Sequence, residues 1–169
     1  FENMAVAIKL AIDNKIPINA IKKGLLKINI LGRLQILKKG KLLENLNSKD
    51  KIILDGAHNA QQSFRLIKVI KKLKFKNKFA VISMINSKDP LSFLKPFKGN
   101  FKNIYFLDNP EQKNYIKKEE LQKIAFGLNI RSETANNFEE IKKKMNDKGN
   151  SLCLCTGSLY WIGYLLSKN

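Results

Sequence analysis

The sequence predicts an α/β fold: a mostly parallel, doubly wound sheet with flanking helices, entered through two further helices. Three observations carry this. Apolar runs at 52–54, 79–85, 104–107 and 152–155 are short and continuously hydrophobic, as in strands covered on both faces. Helical patterns at 59–73, 117–128 and 138–145 alternate with them, which favours crossover connections and parallel pairing. Polar turns containing Gly, Pro or Asn separate the two kinds of segment, and no internal repeat or low-complexity linker interrupts them.

In chain order, residues 4–12 form a helix that is apolar almost all round, expected to pack against structure that this chain does not contain. Pro17 opens a second helical run to Ile28, with Ile21, Leu25 and Ile28 at helical spacing. Residues 31–37 alternate as a strand, and Gly40 with the polar stretch 45–50 punctuates a hairpin into the strand 52–54. The helix 59–73 is expected to set Phe64, Ile67, Ile70 and Leu73 on one face, and Lys68, Lys71 and Lys72 on the other. The strand 79–85 ends in Asn86-Ser87-Lys88-Asp89-Pro90, where Pro90 suits the first turn of a short helix reaching Phe97. Strand 104–107, helices 117–128 and 138–145, strand 152–155 and a final helix opened by Gly157 complete the pattern. A boundary near 28–31 divides residues 1–29, two helices, from residues 30–169, the α/β unit.

The formal charge of +18 comes from 32 Lys and Arg against 14 Asp and Glu. The arginines are Arg33, Arg65 and Arg131, and the lysines run from Lys9 to Lys168 without a dominant block. A nucleic-acid surface gathers its charge on one face and uses arginine and exposed aromatics, so no nucleic-acid partner is expected. Cys153 and Cys155 lie two apart in an apolar strand, facing the same way as small core residues. Such neighbours make poor disulfide partners, and a reducing, cytoplasmic setting is expected. No apolar run approaches bilayer length and no signal peptide opens the chain, so no membrane partner is expected. The chain starts at Phe1 inside a helical pattern and reads as part of something longer.

The most chemical stretch is Ile52-Ile53-Leu54-Asp55-Gly56-Ala57-His58-Asn59. A buried strand breaks into a helix through a carboxylate, a glycine, the single histidine and an amide. The carboxyl end of such a strand, followed by unpaired helix N–H groups, is where ligands sit in open α/β sheets.

Gly32-Arg33-Leu34-Gln35, Leu54-Asp55-Gly56-Ala57-His58-Asn59 and Gly157-Ser158-Leu159-Tyr160 together resemble the signatures of folylpolyglutamate synthase/dihydrofolate synthase, of the muramyl-ligase superfamily. The resemblance covers the whole chain. Residues 1–29 look like the last helices of that family's central ATPase domain, and residues 30–169 like its C-terminal Rossmann-like domain. Leu31 and Ala60 stand where the family usually has proline, and Ser87 where an acidic residue is common. The resemblance implies an ATP-dependent amide ligase, active in folate biosynthesis and one-carbon metabolism. In that family a folate or dihydropteroate carboxylate is phosphorylated, and the amine of L-glutamate attacks the acyl phosphate. ATP and Mg2+ are the implied cofactors. The chain has no Gly-x-x-x-x-Gly-Lys-Ser/Thr, so the phosphate loop and metal ligands are expected on the missing N-terminal part. The chain alone is expected to be inactive and the enzyme a monomer. Two alternatives stand beside it: a muramyl-type amino-acid ligase domain, which would share the architecture but which the Asp-Gly-Ala-His-Asn string argues against, and a standalone basic binding module.

The resemblance also implies residue roles, each beside a plainer one. Asn3 resembles the amide that meets adenine, or is a polar residue at a helix start. Arg33 resembles the arginine that reaches ATP phosphates, or makes a surface salt bridge. Asp55 resembles the carboxylate that holds the ribose, or caps a helix. His58 faces the interdomain cleft near the glutamate entry, as a catalytic or substrate-binding group, or is structural. Lys88 attracts the glutamate carboxylate or acyl phosphate, or is one more solvated lysine. Ser158 donates to glutamate, or caps the last helix.

Overall fold

The computed structural model describes residues 2–28, 30–146 and 149–169. They fall into two compact units, Phe1–Leu31 and Gly32–Asn169. The first contains helices α1 (Glu2–Asp13) and α2 (Ile18–Leu26), the second led by Pro17 at its N-cap. Met4, Val6, Leu10 and Ile12 of α1 are exposed, and α2 buries no residue.

The second unit is a six-stranded sheet. Its strands are β1 (Gln35–Ile36), β2 (Lys51–Leu54), β3 (Asn77–Ile82), β4 (Asn103–Phe106), β5 (Ser132–Thr134) and β6 (Ser151–Thr156). The order across the sheet is β1-β2-β6-β3-β4-β5. Strand β1 runs antiparallel to β2, and all the other pairs are parallel. Among the described residues four helices connect the strands, α3 (Ala60–Lys72), α4 (Pro90–Leu94), α5 (Lys118–Gly127) and α6 (Phe138–Asn146), and α7 (Leu159–Lys168) follows β6.

Alternation along the strands sorts the core into two layers. Ile53, Ala80, Ile82, Ile104, Phe106, Leu152 and Leu154 pack with Leu66, Ile67 and Ile70 of α3, Phe93 of α4 and Leu121 of α5. Their neighbours Ile52, Leu54, Phe79, Val81, Tyr105, Cys153 and Cys155 pack with Ile141 and Met145 of α6 and Trp161, Ile162 and Leu165 of α7. The handedness rule explains the division. Three crossovers carry the chain one way across the sheet and place α3, α4 and α5 on one face; the return to β6 places α6 on the other. Burying each Ile or Leu contributes about 1.5–3 kcal/mol, so neither layer is dispensable.

The structure corrects several sequence expectations. The strand expected at 31–37 shortens to Gln35–Ile36, because Gly32 (φ 67°) and Leu34 (φ 46°) curl the preceding residues into a turn. Helix α3 buries Ser63, Leu66, Ile67 and Ile70, while Phe64 is 54% exposed under the Lys68 ammonium, 4.5 Å from its ring centre. The buried set is a cleaner i, i+3, i+4, i+7 stripe, and Phe64 lies off its edge. The short helix from Pro90 tightens to a 3-10 turn at Lys95–Phe97, where Pro96 has no N–H to offer. Strand β5, a polar Ser-Glu-Thr edge, was not expected.

Candidate functional site

Strand β6 lies between β2 and β3, but its exit leads to α7 on one face while theirs lead to α3 and α4 on the other. Neighbouring strand ends that diverge to opposite faces open a crevice at the carboxyl edge of the sheet. Hydrogen bonds stitch the three ends together. Asp55 N donates to Cys155 O at 2.9 Å, Gly157 N to Ala57 O at 3.0 Å, and Ser83 N to Thr156 O at 3.3 Å. Thr156 Oγ1 adds a bond to Ala57 O at 3.3 Å. Gly157 has φ 111°, and a Cβ there would sit 2.6 Å from Ser83 O, so only glycine fits.

The Gly32–Gln35 turn is fastened onto this corner. Gly56 N donates to Gly32 O at 2.7 Å, and Gln35 Oε1 accepts from Gly32 N at 2.8 Å. Asp55 completes the link: Oδ2 accepts from Leu34 N at 2.8 Å and Oδ1 from Ala57 N at 2.9 Å. The side chain is 7% exposed, and burial raises its pKa above the ordinary carboxylate value. The Leu34 and Ala57 N–H groups and the Arg33 charge oppose that rise.

Asp55 is therefore not a helix cap, and each of its oxygens keeps one further acceptor position. Arg33 is exposed, and a Cβ on Gly56 would lie 3.4 Å from its Nη1. The surface salt bridge considered for it does not form: among the described residues no carboxylate oxygen is paired with Arg33. The guanidinium lies beside Gly56 and makes no ion pair within 4 Å among the described residues.

Asn59 supplies the N-cap of α3, its Oδ1 accepting from Gln62 N at 2.9 Å. Gln62 answers with Oε1, which accepts from His58 N at 3.1 Å. His58 is half-buried, with Nδ1 2.9 Å from Gly56 O. A carbonyl only accepts, so Nδ1 donates in this contact, and Nε2 has no hydrogen-bond partner among the described residues.

Ser158 caps α7, its Oγ accepting from Tyr160 N at 3.1 Å, and is 3% exposed. The capping role is the observed one; the hydroxyl proton is not used by that bond. Leu159 packs over Gly56, where a Cβ would approach its Cδ2 to 2.2 Å. Lys88 lies in the loop after β3, its N–H donating to Ile85 O at 3.2 Å. Asp89 caps α4, with Oδ1 accepting from Ser92 N at 3.1 Å. That loop is tied instead to 114–116, through Asn86 N to Asn114 O at 2.9 Å and Ile116 N to Met84 O at 2.8 Å. The structure thus gathers Arg33, Asp55, His58 and Ser158 at one corner, and holds Lys88 on a separate loop at the same sheet edge. Asn3 lies within α1, and its side chain is outside the described residues.

Gln62 and Thr156, which also shape this corner, were missed by the sequence reasoning, while Gln35 and Leu159 stood inside the quoted signatures with no role assigned. Of the two missed residues Gln62 had a signal, the capping spacing Asn59-x-x-Gln62. Among the described residues no three His, Cys, Asp or Glu side chains are grouped to hold a metal ion, and no helix is long and apolar enough to cross a membrane.

Solved structures share this fold. Folylpolyglutamate synthase from Thermotoga maritima matches 98% of the chain at 25% identity and a TM-score of 0.70. The α/β fold is that of the C-terminal domain of folylpolyglutamate synthase. The Mycobacterium tuberculosis folylpolyglutamate synthase complexed with ADP and AMPPCP matches 88% of the chain at 20% identity, with a TM-score of 0.73. A bifunctional folylpolyglutamate synthase/dihydrofolate synthase with Mn, AMPPNP and L-glutamate bound matches 89% at 16% identity and a TM-score of 0.70. The chain spans only 37%, 34% and 34% of these three proteins respectively. No protein-family model and no curated protein matches the chain.

Proposed function

We propose that this chain is the C-terminal part of an ATP-dependent ligase that joins L-glutamate to a folate or dihydropteroate acceptor. The observation that carries the reading is Arg33: an exposed guanidinium with no paired carboxylate, lying beside Gly56 on a turn whose backbone the Asp55–Leu34 bond holds. An arginine fork held this way suits a phosphate oxygen pair. It stands in a fold shared with a protein complexed with ADP and AMPPCP.

ATP, when bound, supplies the phosphoryl group that activates the acceptor carboxylate, and Mg2+ is assigned to the preceding domains, as is the phosphate loop. Arg33 reaches the nucleotide phosphates when the lobes close. The free acceptor positions on Asp55 take the ribose hydroxyls, while its occupied positions keep the Arg33 turn in place. Asn3 is assigned to the adenine. His58 Nε2 faces the entering glutamate and accepts a proton from its ammonium, Lys88 draws its carboxylate, and the Ser158 hydroxyl donates beside them. Closure excludes water from the activated acyl group. Residues 1–29 are the last helices of the central domain, whose body covers the exposed apolar side chains of α1. The setting is cytoplasmic and the enzyme a monomer.

The test compares two proteins in an ADP-release assay with ATP, L-glutamate and dihydropteroate. The chain alone should match the buffer blank. The longer polypeptide carrying the preceding domains should release ADP only when both glutamate and the pterin acceptor are present. Turnover by the chain alone, or turnover indifferent to glutamate, would overturn the reading.

A further inference from the structure

A second concave site lies at the other end of the sheet, where β3, β4 and β5 begin. The cavity holds about 270 Å3 and is lined by Phe79, Lys102, Asn103, Tyr105, Arg131, Glu133 and Lys144. That is just under the roughly 300–1,000 Å3 of drug-sized sites, so it suits a small solute. Its floor is buried: Phe79, Asn103 and Tyr105 are each 3% exposed.

The walls carry more positive charge than they neutralise. Glu133 is the one carboxylate among the lining residues, and it is occupied, accepting from Asn103 Nδ2 at 2.9 Å and pairing with Lys144. Lys144 also rests over the Tyr105 ring, 4.9 Å from its centre. Lys102 Nζ reaches only a neutral acceptor, Asn77 Oδ1, at 3.1 Å. The Arg131 guanidinium has no hydrogen bond or ion pair among the described residues. Three cations against one anion leave a surplus of two positive charges.

The floor holds unmet polar groups as well. With its Nδ2 committed to a carboxylate, the Asn103 amide orientation is fixed, and its buried Oδ1 has no partner. The Tyr105 hydroxyl likewise has no hydrogen-bond partner among the described residues. The Asn103 carbonyl can only accept, so the solute must bring it a donor, as a hydroxyl on the alcohol part of a monoester does.

We propose that this cavity binds a small dianion of the phosphate-monoester class. The Arg131 fork and the Lys102 and Lys144 ammonium groups meet the charge, and the Tyr105 hydroxyl donates from below. The proposal is independent of the ligase reading, because the site lies at the opposite edge of the sheet from Arg33.

The probe is inorganic phosphate, titrated calorimetrically into the purified chain at constant ionic strength, with chloride as the balancing anion. One saturable site is expected. Arg131→Gln should weaken it about tenfold, as loss of a charge-assisted pair implies. Tyr105→Phe should weaken it several-fold, and Lys71→Gln, an exposed cation on α3 across the sheet, should leave it unchanged. Unaltered thermal unfolding of Arg131→Gln and Tyr105→Phe confirms that folding is not what changed. If Arg131→Gln unfolds, Lys102→Gln takes its place with the same expectation. Absence of saturable heat, equal binding by all the variants, or loss in Lys71→Gln with retention in Arg131→Gln would overturn the proposal.

Discussion

The Asp55 carboxylate accepts a hydrogen bond at 2.8 Å from the backbone N–H of Leu34, across 21 residues of sequence. The same carboxylate takes Ala57 N at 2.9 Å, so one side chain joins the Gly32–Gln35 turn to the β2–α3 corner. Leu34 needs such support, since φ 46° is unfavourable for a branched residue and persists only when neighbours enforce it.

Asp55→Ala should therefore leave two N–H groups without acceptors and destabilise the chain by about 1–3 kcal/mol or more. Asp55→Asn keeps one acceptor and removes a buried charge, so its cost should be smaller. The sign of the pKa shift fixes the pH dependence. A carboxyl raised by burial contributes stability below its unfolded pKa and loses that contribution as pH rises through its folded one. The stability deficit of Asp55→Asn relative to wild type should thus shrink as pH rises above the carboxylate range. Urea unfolding at acidic and neutral pH measures this; a deficit that grows with pH would mean the native carboxyl is stabilised in its charged form.

The two glycines at the crevice should respond differently to alanine. At Gly157 the new Cβ meets the Ser83 backbone oxygen at 2.6 Å with φ at 111°, so neither space nor conformation permits it. At Gly56 the obstacle is the Leu159 side chain, with Cδ2 at 2.2 Å, which can be shortened. Thermal unfolding should show Gly157→Ala as the more damaging change, and Leu159→Ala should partly rescue Gly56→Ala. Failure of that rescue would mean the Gly56 corner is limited by backbone rather than by Leu159.

Cys153 and Cys155 are both free and fully buried, with Sγ atoms 4.0 Å apart. Burial, then the hydrogen bond and charge of Cys153, push the Cys155 thiol well above its ordinary pKa. Both sulfurs are closed off from solvent, so neither cysteine should react with an aromatic disulfide reagent in the native chain, even at pH 9. Both should react in denaturant. Fast native labelling would show that the β6 layer opens.

Asp55 and His58 share a turn but are assigned different tasks in the ligase reading. In the longer enzyme, Asp55→Asn should raise the KM for ATP by roughly one to two decades, the value of a charge-assisted hydrogen bond, and change the glutamate KM little. His58→Ala removes Nε2 from the glutamate side and should do the reverse. If both variants weaken ATP alone, His58 belongs to the nucleotide wall.

The buried parallel strands were legible in the sequence, because a strand covered on both faces must be apolar throughout, as at Ile52–Leu54 and Leu152–Cys155. Strand β5 was not, because Ser132, Glu133 and Thr134 are half-buried on the sheet edge and look like a loop. The strand expected from Leu31 failed at Gly32 and Leu34, whose positive φ angles leave no periodic trace. At the site, the Asp-Gly-Ala-His-Asn corner was visible from residue types alone. The bond that organises it was not, since Leu34 contributes a backbone N–H that every residue but proline possesses. The cavity at Arg131 and Tyr105 was also illegible, being assembled from three strand starts and a helix far apart in sequence.

The central claim is that Arg33 is held ready for nucleotide phosphate rather than for any group of its own chain. The direct measurement is glutamate-dependent ADP formation by the longer enzyme carrying Arg33→Lys, alongside its thermal unfolding midpoint. Lysine keeps the charge and loses the two-pronged geometry. The account predicts at least a tenfold slower rate with an unchanged midpoint. An undiminished rate with a lowered midpoint would contradict it and make Arg33 a structural residue.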